Sequence, residues 1–386
     1  MRTWRDGNEA DASRVYAPPM VRVGLIGTSW WAEAMYLPAL AEHPHGRITA
    51  ICGRDVDKAA RVAAEWDVPE VYPTPEELFD HVDAVIVASS NSSHHPIALA
   101  ALERGLHVLC EKPLGLDAAQ ADDLAATARR RGAITMTPFT YRFMPMARQL
   151  RRHIDDGYVG TPFHLAARYY TGFARDGEYA WRFDLGESGS GVLGDIGSHW
   201  IDLATYLLGD IVEVGCVTNS TVEREPRPDG RPYEPGEDVA LTTVRFANGA
   251  IGHLIVSAVC WEGTPFNQTH HVEVHGSGGT LYALNDWDTV QEVRGLRAGE
   301  VGPARPLERP DEIWEGLRTG TVHDTYRDVF RSTEAMTRGW VTGVHLGEPV
   351  QPDIPHGAHI QRIVDTALRS AADGGRLLTV EPETRN

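Results

Sequence analysis

The sequence predicts an α/β domain built around a doubly wound parallel sheet, followed by an α+β domain with an open, mostly antiparallel sheet. Up to about residue 138, short apolar runs alternate with Ala-rich amphipathic stretches, which is typical of βαβ units. Beyond residue 138, longer segments alternate between apolar and polar residues, as half-buried antiparallel strands do. The predicted units are a polar tail at 1–20, a Rossmann domain at 21–138 and a second domain at 139–386.

In the first domain, predicted strands and helices follow each other in strict alternation. The strands cover 21–26, 48–52, 84–88, 108–110 and 134–136, and the helices cover 57–65, 75–79, 96–104 and 117–131. Doubly wound sheets bind ligands at the carboxyl ends of their strands. We therefore expect the binding residues in the loops that follow these strands.

The second domain is predicted to contain three helices and five strands. The helices cover 145–155, a segment from about 195, and 360–372; the strands cover 163–170, 211–220, 239–246, 250–259 and 271–275. Asn248 and Gly249 join two of these strands, and this dipeptide is a strong signal for a two-residue hairpin. The segments 221–238 and 294–310 are predicted as surface loops.

Charge and composition exclude several classes of partner. The 386 residues carry 36 Lys and Arg against 54 Asp and Glu, a formal charge of −18, which phosphate backbones and anionic membranes repel. No apolar run is long enough to cross a bilayer, and residues 1–20 lack the apolar core of a secretory signal. The four cysteines form no CxxC pair, as expected for thiols in a reducing compartment. The sequence therefore predicts a cytoplasmic protein that binds neither nucleic acid nor membrane.

The loop after the first strand resembles a dinucleotide-binding turn in which most of the glycines are replaced. In the usual fingerprint, three glycines make the turn, admit the pyrophosphate and let helix and strand pack closely. Here Gly27 supplies the first, while Ser29 and Ala32 replace the others. Ser29 could donate its hydroxyl to a phosphate, and the following helix offers free N–H groups. We expect a dinucleotide at Gly27 to Trp31.

The end of the second strand bears on the choice between NAD and NADP. An acidic residue there would bind the ribose 2′-hydroxyl of NAD, but Gly53 occupies this place and Arg54 and Asp55 follow it. Because a guanidinium binds a phosphate well, Arg54 favours NADP. Asp55 could still reach a ribose, so NAD stays an alternative.

Two further loops carry candidate binding residues. After the strand at 84–88, small polar residues suit contacts to the cofactor, although Ser93 or Asn91 could instead cap a helix. After the strand at 108–110 comes Glu111-Lys112-Pro113. A lysine there could hydrogen-bond a substrate hydroxyl and depress the pKa of a neighbouring acid-base group. Its bond to Pro113 is of the kind that can be cis.

In the second half, Asp195 and His199 stand four residues apart at the start of a predicted helix, so both project from one helical face. An imidazole beside a carboxylate is a natural general base, and the carboxylate raises its basicity. The alternative is a capping aspartate beside a packed histidine. His271, Glu273 and His275 alternate on one strand face, and we expect a solvated or interdomain face there and no metal site.

Together these motifs resemble the glucose-fructose oxidoreductase, inositol dehydrogenase and MocA (Gfo/Idh/MocA) family from about Val21 onward. The resemblance rests on the turn at Gly27, the segments 91–94 and 111–113, Tyr141-Arg142-Phe143 with Pro145, Trp181-Arg182, and the run 194–199. The chain departs from the family pattern at Ser29 and Ala32, which bears on cofactor placement. It also departs at Tyr141, where Asn often stands, which bears on substrate choice.

The resemblance implies hydride transfer between NAD or NADP and a secondary alcohol of a sugar, sugar derivative or cyclitol. It implies that Lys112, Asp195 and His199 line the substrate site, with His199 as general acid and base. The expected cofactor contacts are Gly27, Thr28, Ser29, Trp30, Trp31, Gly53, Arg54, Asp55, Ser89, Ser90, Asn91, His94, Glu111 and Lys112. Beyond the catalytic residues, the expected substrate contacts are Tyr141, Arg142, Arg168, Tyr169, Trp181 and Arg182.

Two other functions remain open at this level. Some members of the family cleave glycosides by transient oxidation with a tightly held NAD, and the same residues would serve that route. A few bind a dinucleotide but act as regulatory sensors, which the intact Lys112, Asp195 and His199 argue against. In the family the second domain covers the nicotinamide and often mediates oligomers, so a dimer or tetramer is expected.

Overall fold

Six parallel strands form the first sheet of the computed structural model, which describes residues 19–263 and 267–382. The strands are β1 (Val21–Ile26), β2 (Gly46–Cys52), β3 (Glu70–Tyr72), β4 (Ala84–Val87), β5 (His107–Cys110) and β6 (Thr135–Met136). They lie in the order β3-β2-β1-β4-β5-β6. Because this order reverses between β1 and β4, the loops after these two strands diverge and leave a crevice for a ligand.

Helices cover both faces of the first sheet, so its central strands are apolar on both sides. The helices are α1 (Leu37–Leu40), α2 (Val56–Glu65), α3 (Pro75–Phe79), α4 (Asn91–Glu103) and α5 (Ala118–Arg131). The side chains of Asp55, Thr74 and Asp117 cap α2, α3 and α5 by accepting backbone N–H groups of the first turn. These caps satisfy donors that a helix start leaves unpaired.

The second sheet has nine strands. They are β7 (Pro162–Thr171), β8 (Ile211–Asn219), β9 (Val239–Phe246), β10 (Ile251–Ser257), β11 (Gln268–Gly276), β12 (Gly279–Asp286), β13 (Val290–Arg297), β14 (Arg305–Pro306) and β15 (Leu378–Thr379). Within this second sheet, only the pair of β7 and β10 is parallel among the strands that the structure describes. The prediction of a Rossmann domain followed by a mostly antiparallel sheet is therefore confirmed.

One face of the second sheet packs against helices, and the other carries part-exposed and exposed side chains. The helices of this region are α6 (Pro145–Asp155), α7 (Leu185–Ser188), α8 (Ser198–Leu208), α9 (Asp311–Trp314), α10 (Val322–Ser332), α11 (Thr337–Leu346) and α12 (Ile354–Ala372). Along β7, Leu165, Ala167 and Tyr169 are buried against this helical layer, while the residues between them are part-exposed on the opposite face. The period of two in a strand therefore decides which side chains can reach the helix-covered side.

The chain returns to the first sheet after completing the second. Phe330 on α10 and Trp340 on α11 are fully buried in the cluster that also contains Leu25 and Ile86 of the first sheet. The domain boundaries at 138 and 139 remain a prediction. The structure nevertheless shows that residues far beyond them complete the core of the Rossmann sheet.

Several sequence expectations need correction in this part of the chain. The segment 294–310, expected as a loop, contains the end of β13 and all of β14. The last helix begins at Ile354, six residues before the expected start at Ile360. The strands β3, β12 and β13 and the helices α9 to α11 were not among the predicted elements, and the predicted tail at 1–20 lies outside the described residues except for its last two.

Cys52, Cys110 and Cys216 are buried and Cys260 is part-exposed, and all four are free thiols, as the sequence predicts. No helix within 19–263 and 267–382 combines the length and the apolar character that crossing a membrane requires.

Candidate active site

The turn after β1 fits the close approach of a ligand. Gly27 has a φ of +113°, and a Cβ there would lie 2.3 Å from the carbonyl oxygen of Ala88. The Ser29 hydroxyl accepts the N–H of Ala32 at 3.3 Å, which leaves its own hydrogen for another acceptor. A left-handed glycine that leads into a helix N-terminus is the local geometry that binds pyrophosphate in dinucleotide folds.

The two candidate residues after β2, Arg54 and Asp55, differ in whether their side chains bind other parts of the protein. The Asp55 carboxylate accepts the backbone N–H of Lys58 at 2.9 Å and so caps α2. The Lys58 ammonium in turn donates to the carbonyl oxygen of Thr28 in the turn. Arg54 is exposed and has no ion-pair partner within the described ranges. Of the two residues that the sequence analysis weighed against each other, Arg54 therefore has the freer side chain.

The serines after β4 form a hydrogen-bonded cluster at the start of α4. The Ser93 hydroxyl lies 2.7 Å from both the Ser89 hydroxyl and the Ser90 carbonyl oxygen. Ser90 is the N-cap residue of α4, although its own side chain makes no capping bond. The cluster leaves Ser89 and Ser90 part-exposed at the crevice between β1 and β4.

Asn91 and His94, expected to contact the cofactor, are held by the protein itself. The Asn91 amide donates to the carbonyl oxygen of Ser188 at 3.1 Å. The two ring nitrogens of His94 lie 2.7 Å from the carbonyl oxygen of Pro113 and 3.2 Å from that of Ser89. Burial lowers the pKa of His94 to about 4. Both side chains thus join loops around the crevice.

The Glu111-Lys112-Pro113 loop follows β5, and the bond between Lys112 and Pro113 is cis. The Lys112 ammonium donates to Asp195 Oδ1 at 2.9 Å and to the Asp195 carbonyl oxygen at 2.7 Å. Glu111 turns inward instead and accepts hydrogen bonds from Trp31 and Tyr36. Lys112 therefore faces the second domain, whereas Glu111 faces the core of the first.

Asp195 lies in a π-helical turn, Leu193–Gly197, that leads directly into α8. Besides Lys112, the Arg182 guanidinium lies 3.6 Å from Asp195 Oδ2. Burial alone would raise the pKa of Asp195, but the charges of Lys112 and Arg182 outweigh it and lower the pKa to about 2. The carboxylate is therefore ionised and held between two cations.

His199 is part-exposed one turn further along, and its buried Nδ1 atom has no hydrogen-bond partner within the described residues. Burial lowers the pKa of His199 well below its ordinary value, and the charge of Lys112 lowers it further. The sequence analysis expected Asp195 to raise the basicity of this imidazole. The charge of Asp195 does raise the pKa of His199, and the charge of Lys112 lowers it, both as expected, but the loss of hydration is the largest effect and leaves the net pKa low.

Aromatic residues surround the imidazole of His199. The Tyr141 ring lies edge-on to it with centroids 5.0 Å apart, and the Tyr141 and Tyr169 hydroxyls are 2.9 Å apart. Tyr169 also donates to Gln268 Oε1 at 3.1 Å. Of the expected substrate contacts, the structure thus brings Tyr141 beside His199 and Arg182 beside Asp195. Trp181 joins them, since the Arg182 guanidinium lies over its ring at 4.6 Å.

Two expected substrate contacts do not reach this cluster. The Arg142 guanidinium forms a buried ion pair with Asp202, with Nε 2.9 Å from Oδ2, and also contacts His356. Arg168 lies on the opposite face of β7 from Tyr169, beside Tyr170. Its position follows from the strand period, because neighbouring residues point to opposite faces of a sheet.

Sequence reasoning missed two residues of the site. Tyr36 reaches Glu111 from the helical segment after the turn, and no motif in the sequence marks it. His270 is fully buried against Tyr141, Tyr169 and Trp200. Its position could have been found, because the expected outer face of 271, 273 and 275 puts residue 270 on the inner face. No set of three potential metal ligands lies together among the described residues.

The sheet order and the turn at Gly27 are typical of a dinucleotide-binding fold, and Lys112, Asp195 and His199 lie close together in part-exposed positions. Residues 21–139 match the Gfo/Idh/MocA model described as an oxidoreductase family with an NAD-binding Rossmann fold, and residues 147–282 match the Gfo/Idh/MocA C-terminal domain. The chain belongs to the Gfo/Idh/MocA family of oxidoreductases.

Characterised relatives act on carbohydrates, as their names state. The chain is 31% identical to a 1,5-anhydro-D-fructose reductase of Ensifer adhaerens, over 69% of this chain and 76% of the relative. It is 27% identical to a levoglucosan dehydrogenase of Pseudarthrobacter phenanthrenivorans, over 91% and 96% of the two chains. A solved structure of levoglucosan dehydrogenase with NADH superimposes with a TM-score of 0.83 at 25% identity, covering 94% of this chain and 99% of that one.

Proposed function

We propose that this protein is an NAD(P)-dependent dehydrogenase or reductase that acts on a secondary alcohol of a sugar, sugar derivative or cyclitol. The observation that carries the proposal is the contact of Lys112 with Asp195, 2.9 Å between Nζ and Oδ1, beside His199. The carbohydrate substrates named for the relatives support the substrate class.

His199 serves as the general base and acid of the proposed reaction. Its lowered pKa keeps the imidazole neutral at physiological pH, so a ring nitrogen can accept the proton of a substrate hydroxyl. A bound nicotinamide dinucleotide accepts the hydride in the oxidation and donates it in the reduction. In the reductive direction, His199 returns the proton to the new hydroxyl oxygen.

Lys112 and Asp195 orient the substrate and stabilise its charge. Lys112 already donates two hydrogen bonds to Asp195, and a third N–H of its ammonium group can donate to the substrate oxygen. The negative charge that develops on this oxygen would be stabilised most strongly in a cleft with little water. Tyr141, Trp181 and Arg182 would contact the sugar around this centre.

The turn at Gly27 to Trp31, the serines Ser89 and Ser90, and Arg54 would hold the dinucleotide. The fold is an NAD(H)-binding one, and Arg54 extends the proposal to NADP because its guanidinium is free to bind a 2′-phosphate. As in the sequence analysis, both cofactors are candidates. We further propose a homo-oligomer through the uncovered face of the second sheet, where Val217, Leu241 and Ile251 are exposed.

The first experiment identifies the cofactor and the direction of chemistry together. Freshly purified protein would be denatured and any released dinucleotide identified by mass spectrometry, while apo protein is titrated with NAD and NADP. Levoglucosan, glucosides and myo-inositol would then be tested as substrates at 340 nm. Accumulation of reduced cofactor supports the proposal. Product without reduced cofactor, with NAD retained stoichiometrically, would indicate a glycosidase that acts by transient oxidation.

A Lys112→Ala variant tests the catalytic assignment. It should lower kcat on the active sugar by at least about a hundredfold, the size seen when a preorganised donor to a developing oxyanion is removed. NADH binding should stay near that of the wild type. Turnover like that of the wild type would contradict the role of Lys112 even if the cofactor binds.

A further inference from the structure

The Glu111 carboxylate is partly buried and held by three donors. Trp31 Nε1 donates to Oε1 at 2.7 Å, the Tyr36 hydroxyl donates to the same oxygen, and the backbone N–H of Lys112 lies 3.2 Å from Oε2. Tyr36 is itself completely buried. A carboxylate with several donors inside a core has a fixed position, because moving it would leave buried polar groups unpaired.

The local helix geometry explains how two side chains reach one oxygen. Trp31 and Tyr36 are five residues apart, and in an α-helix such residues point about 140° apart around the axis. The segment Ala32–Tyr36 is a π-helix instead, and its hydrogen bonds run between residues five apart. This turn therefore places the two donors on the same face, toward Glu111.

Glu111 stands directly before Lys112 in the chain. Trp31 lies in the first turn of the helix that follows the cofactor turn. We infer that Trp31 and Tyr36 are positioning residues that fix Glu111 and thereby hold the Lys112 ammonium against Asp195. The inference rests on the proposed function in assigning Lys112 to the reaction. It makes the dinucleotide turn and the catalytic lysine one connected unit.

Removing one donor raises the pKa of Glu111. Burial raises the pKa of Glu111, while the Tyr36 hydroxyl, the Lys112 charge and the Trp31 indole each lower it. The other titratable groups that face it are Cys110 on its own strand and Tyr326 on α10. Without the Tyr36 hydroxyl the pKa rises further, so Glu111 takes up its proton at higher pH.

The chain contains only two lysines, Lys58 and Lys112, which makes a direct measurement practical. Protein labelled with ¹³C at lysine Cε gives two lysine signals, and a Lys58→Arg variant assigns them. In a pH titration the Lys112 signal of the wild type should report the protonation of Glu111. In Tyr36→Phe and Trp31→Phe this protonation step should move to higher pH. The kcat of both variants on the sugar identified above should fall about tenfold, which corresponds to the free energy of a hydrogen bond to a charged group.

A Tyr72→Phe variant is the matched control, because the Tyr72 hydroxyl also donates to a carboxylate, that of Glu70 at 2.8 Å, outside the site. It should leave the Lys112 signal unchanged. An unchanged Lys112 step in both Trp31→Phe and Tyr36→Phe would overturn the inference, whatever their activity. An inactive Lys112→Ala beside fully active Trp31→Phe and Tyr36→Phe would also overturn it and leave the proposed function standing. If Tyr36→Phe fails to fold, Trp31→Phe alone decides, since Trp31 is only partly buried.

Discussion

At the scale of single residues, the site depends on positions where one atom more would not fit. Gly27 combines a left-handed backbone with a Cβ position only 2.3 Å from Ala88 O. The turn after β1 and the backbone after β4, where Ala88 lies, would have to move apart to accommodate a methyl group. The same turn presents the helix N-terminus proposed to bind pyrophosphate, so its backbone path decides cofactor binding.

A Gly27→Ala variant should therefore weaken NADH binding by at least about a hundredfold, the equivalent of roughly 2.7 kcal/mol. Fluorescence titration with NADH would measure it. Gly105→Ala is the matched control, because Gly105 also has a positive φ, +81°, but has open space where its Cβ would lie. Equal NADH affinity of Gly27→Ala and wild type would show that this turn does not hold the cofactor.

Motif reasoning predicted the identity of the central residues better than their electrostatics. Lys112 and Asp195 were chosen on separate motifs, and the structure joins them at 2.9 Å. The effects of Asp195 and Lys112 on the pKa of His199 were predicted with the right sign, but the net pKa is low because of burial, which the sequence does not reveal. Arg142 was misjudged for a related reason, since its partner Asp202 lies sixty residues away in the chain.

At the scale of elements, two π-helical turns flank the candidate site. One, Ala32–Tyr36, follows the cofactor turn, and the other, Leu193–Gly197, carries Asp195. Such turns are rare and occur often at functional sites. Their i→i+5 geometry changes which side chains share a face, and sequence periodicity at 3.6 residues does not detect it. This is why Tyr36 was not expected to meet Glu111.

Except for the short and part-exposed β3, strand positions in the first sheet were predicted closely, because buried parallel strands are short continuous apolar runs between turn residues. The helices α10 and α11 were missed. Their sequences contain many polar residues. The apolar residues that anchor them, among them Phe330 and Trp340, pack against a sheet whose strands lie about 200 residues earlier in the chain. Long-range packing of this kind leaves no local signal.

Trp340→Ala on α11 should lower the free energy of unfolding by about 3–5 kcal/mol, because it removes a fully buried indole from the core of the first sheet. Urea unfolding followed by circular dichroism would measure the loss. Leu346→Ala on the same helix is the control, since Leu346 is exposed, and it should change stability by less than about 0.5 kcal/mol. Similar losses for both variants would mean that α11 does not pack as described.

At the scale of the whole molecule, buried neutral histidines make stability depend on pH. Burial lowers the pKa of His94 to about 4 and that of His270 to about 3, whereas both titrate near 6.5 in the unfolded chain. Below pH 6.5 the unfolded state therefore binds more protons than the folded state. Stability is fully present above pH 6.5 and is lost as the pH falls toward 4.

The free energy of unfolding should fall between pH 7 and pH 5 by about 2 kcal/mol for each of these two histidines. Urea unfolding at both pH values would measure this. His94→Gln should reduce the pH-dependent loss by about 2 kcal/mol, even if the variant is less stable at pH 7. His253→Gln, at an exposed position on the second sheet, should leave the loss unchanged, and an equal effect of both variants would contradict the assignment.

The return of the chain to its first sheet has a consequence for synthesis. Strands β1 to β6 leave the ribosome within the first 136 residues, but Trp340 and Val341, which cover one face of that sheet, follow about 200 residues later. At roughly 5–20 residues per second, the part of this face that Trp340 and Val341 cover stays exposed for about 10–40 s. We expect chaperones to bind this part of the nascent chain during that interval, and a prematurely terminated chain to expose the same apolar surface.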